Sequence, residues 1–436
     1  MEDVHPPLYY LLLRIVCNFN IDEFSIFPGT ILNIIFFVVA SIILFLIAKD
    51  IFKSPYYALL VCFISGFSLA NIETVMYVRM YELLVLNILM LLYWHIRKSK
   101  VKQLTFKDIM LLYIMVITGF LTHYYYLIIV VILFIMYSIS YIKRKEYKNM
   151  YIYISTLMAS GITGILIFPY SIHHILFSYR GQEVTSNLFD VSAILYKIKE
   201  NIILIDREIF QGYGYIVVLL FTILCVVWLV SKRKKIDNNK NEEIKYVSIP
   251  MAVYLVFSIM CSPYIDLRYL MPVILLIFFS LIYVFCDILK NIISKRKMFF
   301  VLLIISICFA ITVIPKLSNN LYTYKGQGKV LKYLENEINN KPMVYIYEDY
   351  SAQYNKIMEC YEALTKIDQT YIMSKEKFSI NNLKNIIRNV DTKNGIVIMM
   401  HFAYEEEILG EILNSKMYKE ANIIGMLGRF MIYELK

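Results

Sequence analysis

Long apolar runs broken by short polar stretches fill the first three quarters of this chain. Runs long enough to span are 30–48, 55–71, 77–96, 124–142, 150–170, 213–230 and 269–289, and shorter or more interrupted ones are 108–121, 246–261 and 298–314. A hydrocarbon core about 30 Å thick takes about 20 helical residues, so the pattern predicts about ten transmembrane helices, with 108–121 the shortest. After Pro315 the period changes. Helical spacing over 329–340, 352–364, 381–390 and 405–414 alternates with strand-like runs at 343–347 and 396–400 and a strand pair over 423–435 turned near Gly428. That predicts a small α/β domain of about 110 residues outside the membrane. The fold class expected is therefore an all-α polytopic membrane protein with a small C-terminal extracytoplasmic α/β domain. Its parts are a loop with an interfacial helix over 1–29, a transmembrane domain over 30–314 and the α/β domain over 315–436.

Composition agrees with a second apolar solvent. Hydrophobic residues make up 59% of the 436 and charged residues only 18%, against roughly half and a quarter in soluble domains. The net charge of +10 invites a nucleic-acid reading, but no RNA- or DNA-binding module is visible. The basic residues instead sit in short loops: Arg97, Lys98, Lys100, Lys102 and Lys107; Lys143, Arg144, Lys145 and Lys148; Lys232 to Lys235; and Lys290, Lys295, Arg296 and Lys297. With ten spans all four clusters fall on one side, which the positive-inside rule makes cytoplasmic. Arg79, His123, the loop 171–212, Arg268 and both termini then lie outside, in a multi-pass protein of the cell membrane. A chain that starts outside with Glu2-Asp3-Val4-His5-Pro6-Pro7 has neither a charged n-region nor an apolar h-region. Such a start implies an upstream transmembrane helix that this chain lacks. The seven cysteines show no CxxC or zinc spacing and indicate no disulfide framework.

Four stretches on the outer side carry candidate chemistry. Asp3-Val4-His5-Pro6-Pro7-Leu8-Tyr9-Tyr10 sets an acid and an imidazole before a rigid diproline, which fixes φ and holds the polar pair extended. The alternative is a kinked loop entering an interfacial helix anchored by Tyr9 and Tyr10. Arg79 and Glu82 share one helix face near the membrane boundary, where an ionisable pair needs a cavity or an internal partner. Thr122-His123-Tyr124-Tyr125-Tyr126 places an imidazole among aromatics, as an interface residue or a ligand. In Asp266-Leu267-Arg268-Tyr269-Leu270-Met271-Pro272, Arg268 opens a helix where a phosphate meets a guanidinium fork, or merely flanks it. His173, His174 and the charged residues of 171–212 fit a loop over a lipid-linked substrate. There is no HExxH, GxSxG, phosphate-binding glycine loop or nucleotide motif, and His401 reads as structural.

Taken together, the stretches around His5-Pro6-Pro7, Arg79-Met80-Tyr81, Thr122-His123-Tyr124 and Arg268-Tyr269-Leu270-Met271-Pro272 resemble the bacterial branch of the dolichyl-phosphate-mannose-protein mannosyltransferase superfamily. These are multi-pass GT-C glycosyltransferases, with relatives that transfer aminoarabinose to lipid A. The resemblance covers nearly the whole membrane part and admits a small outer domain. It implies a hexosyltransferase of the cell envelope that moves a sugar, with inversion, from a polyprenyl-phosphate carrier to a protein, lipid or glycan acceptor. An acid takes the acceptor's proton, and the leaving phosphate needs Arg, Lys, His or a divalent metal ion nearby. Asp3 is the expected base with Glu82 behind it, and His5, Tyr9, Arg79, Tyr81, His123, Tyr124, Arg268 and Tyr269 are expected to bind substrate. The family's Asp-Glu pair lies upstream of the diproline, before this chain begins. Its Gln-Glu-Ala is replaced here by Met76-Tyr77-Val78. Other readings are a polysaccharide polymerase or ligase, a transporter, and a non-catalytic remnant that binds carrier lipid. Ionisable residues at one face rather than the midplane weigh against a transporter.

Overall fold

The computed structural model describes residues 5–17, 27–99, 101, 103–176, 191–219, 222, 242–262, 265–290, 293–317, 328–334, 338, 341–347, 367, 369–388, 392, 394–427 and 430–436. The chain divides into two compact units at Lys316 and Leu317. The first is helical: α1 (Leu8–Cys17), α2 (Phe27–Phe52), α3 (Pro55–Gly66), α4 (Leu69–Met76), α5 (Tyr81–Lys98), α6 (Phe106–Phe120), α7 (Tyr126–Arg144), α8 (Tyr147–Ile167), α9 (Tyr170–Leu176), α10 (Val191–Leu204), α11 (Lys245–Cys261), α12 (Ile274–Leu289) and α13 (Lys295–Leu317). Among the described residues five helices are long and apolar enough to cross a membrane, or six if the bent pair α3 and α4 counts as one span. Of the ten expected spans, 213–230 falls largely outside the described residues.

The expected span 55–71 is not one straight helix. It bends by 67° between α3 and α4. Ser68 explains the break, because its hydroxyl donates to the Ser65 carbonyl at 2.9 Å and accepts from the Asn71 N–H at 3.3 Å. A serine that bonds the backbone on both sides ends one helix and caps the next. The expected span 77–96 likewise starts late, at Tyr81, with residues 77–80 forming a turn.

Polar contacts define two ends of this unit. At one, Arg97 meets Asp50 at 3.3 Å, Lys98 meets Asp108 at 2.7 Å, Lys53 meets Glu243 at 3.5 Å, and the Arg144 guanidinium donates to the Ser99 carbonyl at 2.6 Å. At the other, the Leu8 N–H donates to Leu121 O at 3.0 Å and the Tyr125 hydroxyl to Cys261 O at 3.1 Å. Helix α5, with 18 residues, separates the ends by about 25 Å at 1.5 Å per residue. It is buried on nearly every face, with Leu84, Ile88 and Leu92 fully enclosed. Near its basic end His95 is buried too, its ring nitrogens 2.7 Å from Leu91 O and 2.9 Å from the Tyr153 hydroxyl. Ile42, Val131, Ile162, Leu166 and Ile304 remain exposed on other helices. In a bundle this apolar, such surface faces lipid, and the chain is a multi-pass membrane protein.

The second unit holds α14 (Gly328–Lys332), α15 (Ile380–Ile387), α16 (Glu405–Asn414) and a five-stranded sheet, β1 (Met343–Tyr347), β2 (Thr370–Ser374), β3 (Ile396–His401), β4 (Ala421–Leu427) and β5 (Phe430–Leu435), in the order β2-β1-β3-β5-β4. Strands β1, β2 and β3 run parallel, and β5 is antiparallel to both β3 and β4. Central β3 is buried on both faces, which is why its sequence reads as a continuous apolar run. Gly425 sits at φ +149° beside a bulge, and a Cβ there would lie 2.5 Å from the Val330 side chain. The expected strands at 343–347 and 396–400, the strand pair and the helix at 405–414 are present. Strand β2 is an addition, a short edge strand whose pairing with β1 is set by distant residues. The expected helix over 352–364 and the turn at Gly428 lie outside the described residues.

Glu434 is expected to make this domain acid-sensitive. Burial alone raises its carboxyl, but hydrogen bonds from Lys341 and Lys436, with their charges, hold it below the ordinary value of 4.5. A carboxyl depressed by folding contributes stability that is present above its unfolded value and lost as pH falls through the folded one. Amide exchange across β5 is therefore expected to accelerate as pH drops below about 4.5, after correction for intrinsic rates. Glu434→Gln should flatten that dependence, and an unchanged profile in the variant would exclude Glu434 as its source.

Candidate functional site

The chemistry-bearing stretches separated in sequence meet at the end of the bundle opposite the basic loops. The diproline lets α1 start at Leu8, and its first N–H is bonded to Leu121, so His5 is carried toward the turn after α6. The His5 and His123 rings are 6.3 Å apart, and the His123 ring is 5.8 Å from that of Tyr81 at the start of α5. Tyr81 stacks on Tyr77 at 5.9 Å with an interplanar angle of 11°, and the Arg79 guanidinium lies 5.6 Å from the Tyr77 ring centre. The His123 ring is 5.1 Å from that of Tyr125. Arg268 sits 5.3 Å over the ring of Tyr269, which lies 5.7 Å from Tyr125.

Local structure fixes the polar groups. His123 Nδ1 accepts the Tyr125 N–H at 3.0 Å, so in the neutral ring the proton is assigned to Nε2. Asp266 caps the short 3-10 turn Leu267–Tyr269 by accepting the Arg268 N–H at 3.0 Å, while its second oxygen is 3.4 Å from Arg268 Nε. One carboxylate thus caps the Arg268 backbone and forms an ion pair with its guanidinium. Within this group the Arg79 and Arg268 guanidiniums and the Asp266 carboxylate lie among aromatic rings. Such a surface suits an anionic ligand with an apolar or ring-shaped body.

The remaining expected residues divide. Tyr124 borders the group but turns toward α9, its hydroxyl 3.0 Å from His174 Nδ1. Tyr9 is fully buried and its hydroxyl donates to Asn33 Oδ1 at 3.1 Å, so it supports the site from behind rather than facing a ligand. Glu82 is also fully buried, and among the described residues neither of its oxygens has a hydrogen-bond partner. Asp3 lies outside the described residues.

Tyr77, Tyr125, Asp266 and Asn33 are the additions that sequence reasoning did not single out. Asn33 left a signal, a lone amide inside an otherwise apolar span. Asp266 left another, an acid two residues before an arginine at a helix start. Among the described residues no three His, Cys, Asp or Glu side chains group to hold a metal ion.

No family model matches the sequence, and no curated protein matches it either. In structure the chain is similar to ArnT from Cupriavidus metallidurans bound to undecaprenyl phosphate, with a TM-score of 0.48 and 7% identity over 98% of this chain and 87% of that one. It is similar also to ArnT from the same organism in the apo state, with a TM-score of 0.45 and 6% identity over the same shares.

Proposed function

We propose that this protein is a membrane glycosyltransferase that moves a hexose from a polyprenyl-phosphate carrier to an acceptor outside the cytoplasm, with inversion. The observation that carries the reading is the convergence of His5, Arg79, His123 and Arg268, from four distant stretches, at the bundle end opposite the basic loops. Those basic loops mark the cytoplasmic side by the positive-inside rule, which puts the convergent group outside. The same four stretches carry the resemblance to the bacterial protein-mannosyltransferase superfamily.

In this reading the acceptor oxygen forms a bond to the anomeric carbon as the bond to the carrier phosphate breaks. The acceptor proton goes to a carboxylate, with Asp3 the candidate in this chain. Negative charge then grows on the polyprenyl phosphate, and Arg268 and Arg79 stabilise it more in the transition state than in the bound donor. His5 and His123 add N–H donors, and the Tyr77, Tyr81, Tyr125 and Tyr269 rings provide stacking surface for the sugar and the first isoprene units. Which hexose it is, and whether it goes to protein, lipid or glycan, is decided by assay. The decisive experiment incubates membranes containing the protein with defined polyprenyl-phosphate hexoses and follows loss of sugar from the carrier. Turnover above that of membranes without the protein is expected. Carrier binding without turnover makes the chain a lipid-binding remnant, and neither binding nor turnover ends the proposal.

A further inference from the structure

The turn that carries Arg79 hangs from one side chain of α2. Helix α4 stops at Met76, and Tyr77 is extended at φ −79° and ψ 101°, so the carbonyls at the break have no continuing helix to bond them. Asn33, fully buried in a strongly apolar span, donates one amide hydrogen to Val75 O at 3.0 Å and the other to Tyr77 O at 2.8 Å. Its oxygen accepts the Tyr9 hydroxyl. Two of the three hydrogen bonds are buried and the one to Tyr77 O is partly buried, and an unmade bond at a buried group is costly. One turn earlier on the same face of α2, Gly29 receives Val78, and a Cβ at that position would lie 2.3 Å from Val78 Cγ1. A notch and a double donor four residues apart therefore grip residues 75–78 from one side. That grip sets Tyr77, whose ring lies against the Arg79 guanidinium and stacks on Tyr81.

We propose that Asn33 is a positioning residue of this site, its side-chain amide holding the Val75 and Tyr77 carbonyls so that Arg79 faces the bound phosphate. The proposal rests on the polyprenyl-phosphate reading for its ligand, while the clamp itself is independent of that reading. Asn33 touches no substrate and acts through the turn. Leucine has nearly the shape of asparagine and would remove both amide donors and the acceptor for Tyr9, leaving Tyr77 O with only the Arg79 N–H. Aspartate keeps the acceptor for Tyr9 but loses both donors and sets its oxygens against two carbonyls.

The test uses the full chain in detergent micelles, with undecaprenyl phosphate and undecaprenol as paired probes in native mass spectrometry. Hydrogen exchange is followed at the Tyr77 and Arg79 amides, which are bonded to Glu73 O and Tyr77 O. In Asn33→Leu, affinity for undecaprenyl phosphate is expected to fall about tenfold with undecaprenol unchanged, and exchange at the two amides to rise about tenfold. Asn33→Asp should match it or be worse, whereas Tyr9→Phe, which keeps both donors, should stay within about threefold. Unchanged exchange and unchanged phosphate preference in Asn33→Leu would overturn the proposal. So would equal loss of both lipids with exchange raised along the whole of α2, since that is general destabilisation. If the unaltered protein binds neither lipid, the polyprenyl-phosphate reading fails, and the exchange measurement alone decides whether Asn33 holds the turn.

Discussion

Arg268→Ala is expected to lower transfer from a polyprenyl-phosphate hexose by about a hundredfold or more, with folding and membrane insertion retained. In the proposed reaction charge grows on the carrier phosphate as the bond to the sugar breaks, and a guanidinium already in place acts where that charge appears. Loss of one such donor commonly costs about 10² to 10³ in rate. The geometry supports a pre-set group, because Asp266 accepts the Arg268 backbone N–H and lies 3.4 Å from its Nε as an ion pair while Tyr269 backs the guanidinium. The Arg268 side chain is 22% exposed, and thermal unfolding in detergent is expected to shift less than transfer does. Arg268→Lys should recover only part of the rate, since an ammonium keeps the charge and loses the fork. Turnover by Arg268→Ala close to that of the unaltered protein would remove Arg268 from the site.

The largest expected effect on stability comes from a single methyl group. Gly119 sits in the last turn of α6, and a Cβ there would lie 2.2 Å from Cε1 and 2.3 Å from Cζ of Tyr126. That ring is fully buried and cannot swing aside, because its hydroxyl donates to Met115 O at 3.1 Å. Gly119→Ala must push α6 and α7 apart at the turn that carries His123, whose N–H, like that of Thr122, is bonded to Gly119 O at 3.1 Å. Overpacking of this kind costs about 1–3 kcal/mol, seen as a lower Tm in detergent, and it should weaken carrier binding through displacement of His123. Tyr126→Leu added to Gly119→Ala should restore part of the lost Tm, because the clashing atoms are gone. An unaltered Tm in the single variant would show that α6 and α7 do not pack as described.

Much of the architecture was legible because a bilayer imposes simple rules. Helices such as α2, α7, α8, α12 and α13 announce themselves by length and apolar content alone. The soluble strands β1 and β3 were legible for a similar reason, since buried parallel strands read as unbroken apolar runs. The break at Ser68 was not, because a serine inside a span is neutral by composition and ends a helix only when its hydroxyl finds the backbone. Strand β2 was missed because an edge strand is defined by its partner, and five residues carry little periodicity of their own.

By itself the sequence determined that the chain is a membrane bundle followed by an α/β domain, and which side chains carry candidate chemistry. Hydropathy, basic loops and the diproline act locally, so one dimension suffices to read them. Only the tertiary structure decided which of those side chains share a site. It brought His5, Tyr81, His123 and Arg268 together, sealed Glu82 and Tyr9 inside the bundle, and recruited Asn33 and Asp266 as supports. Proximity between residues tens to hundreds apart in sequence depends on how helices pack and where they break. That packing follows from contacts such as Gly29 against Val78 and Gly119 against Tyr126, which no local pattern records.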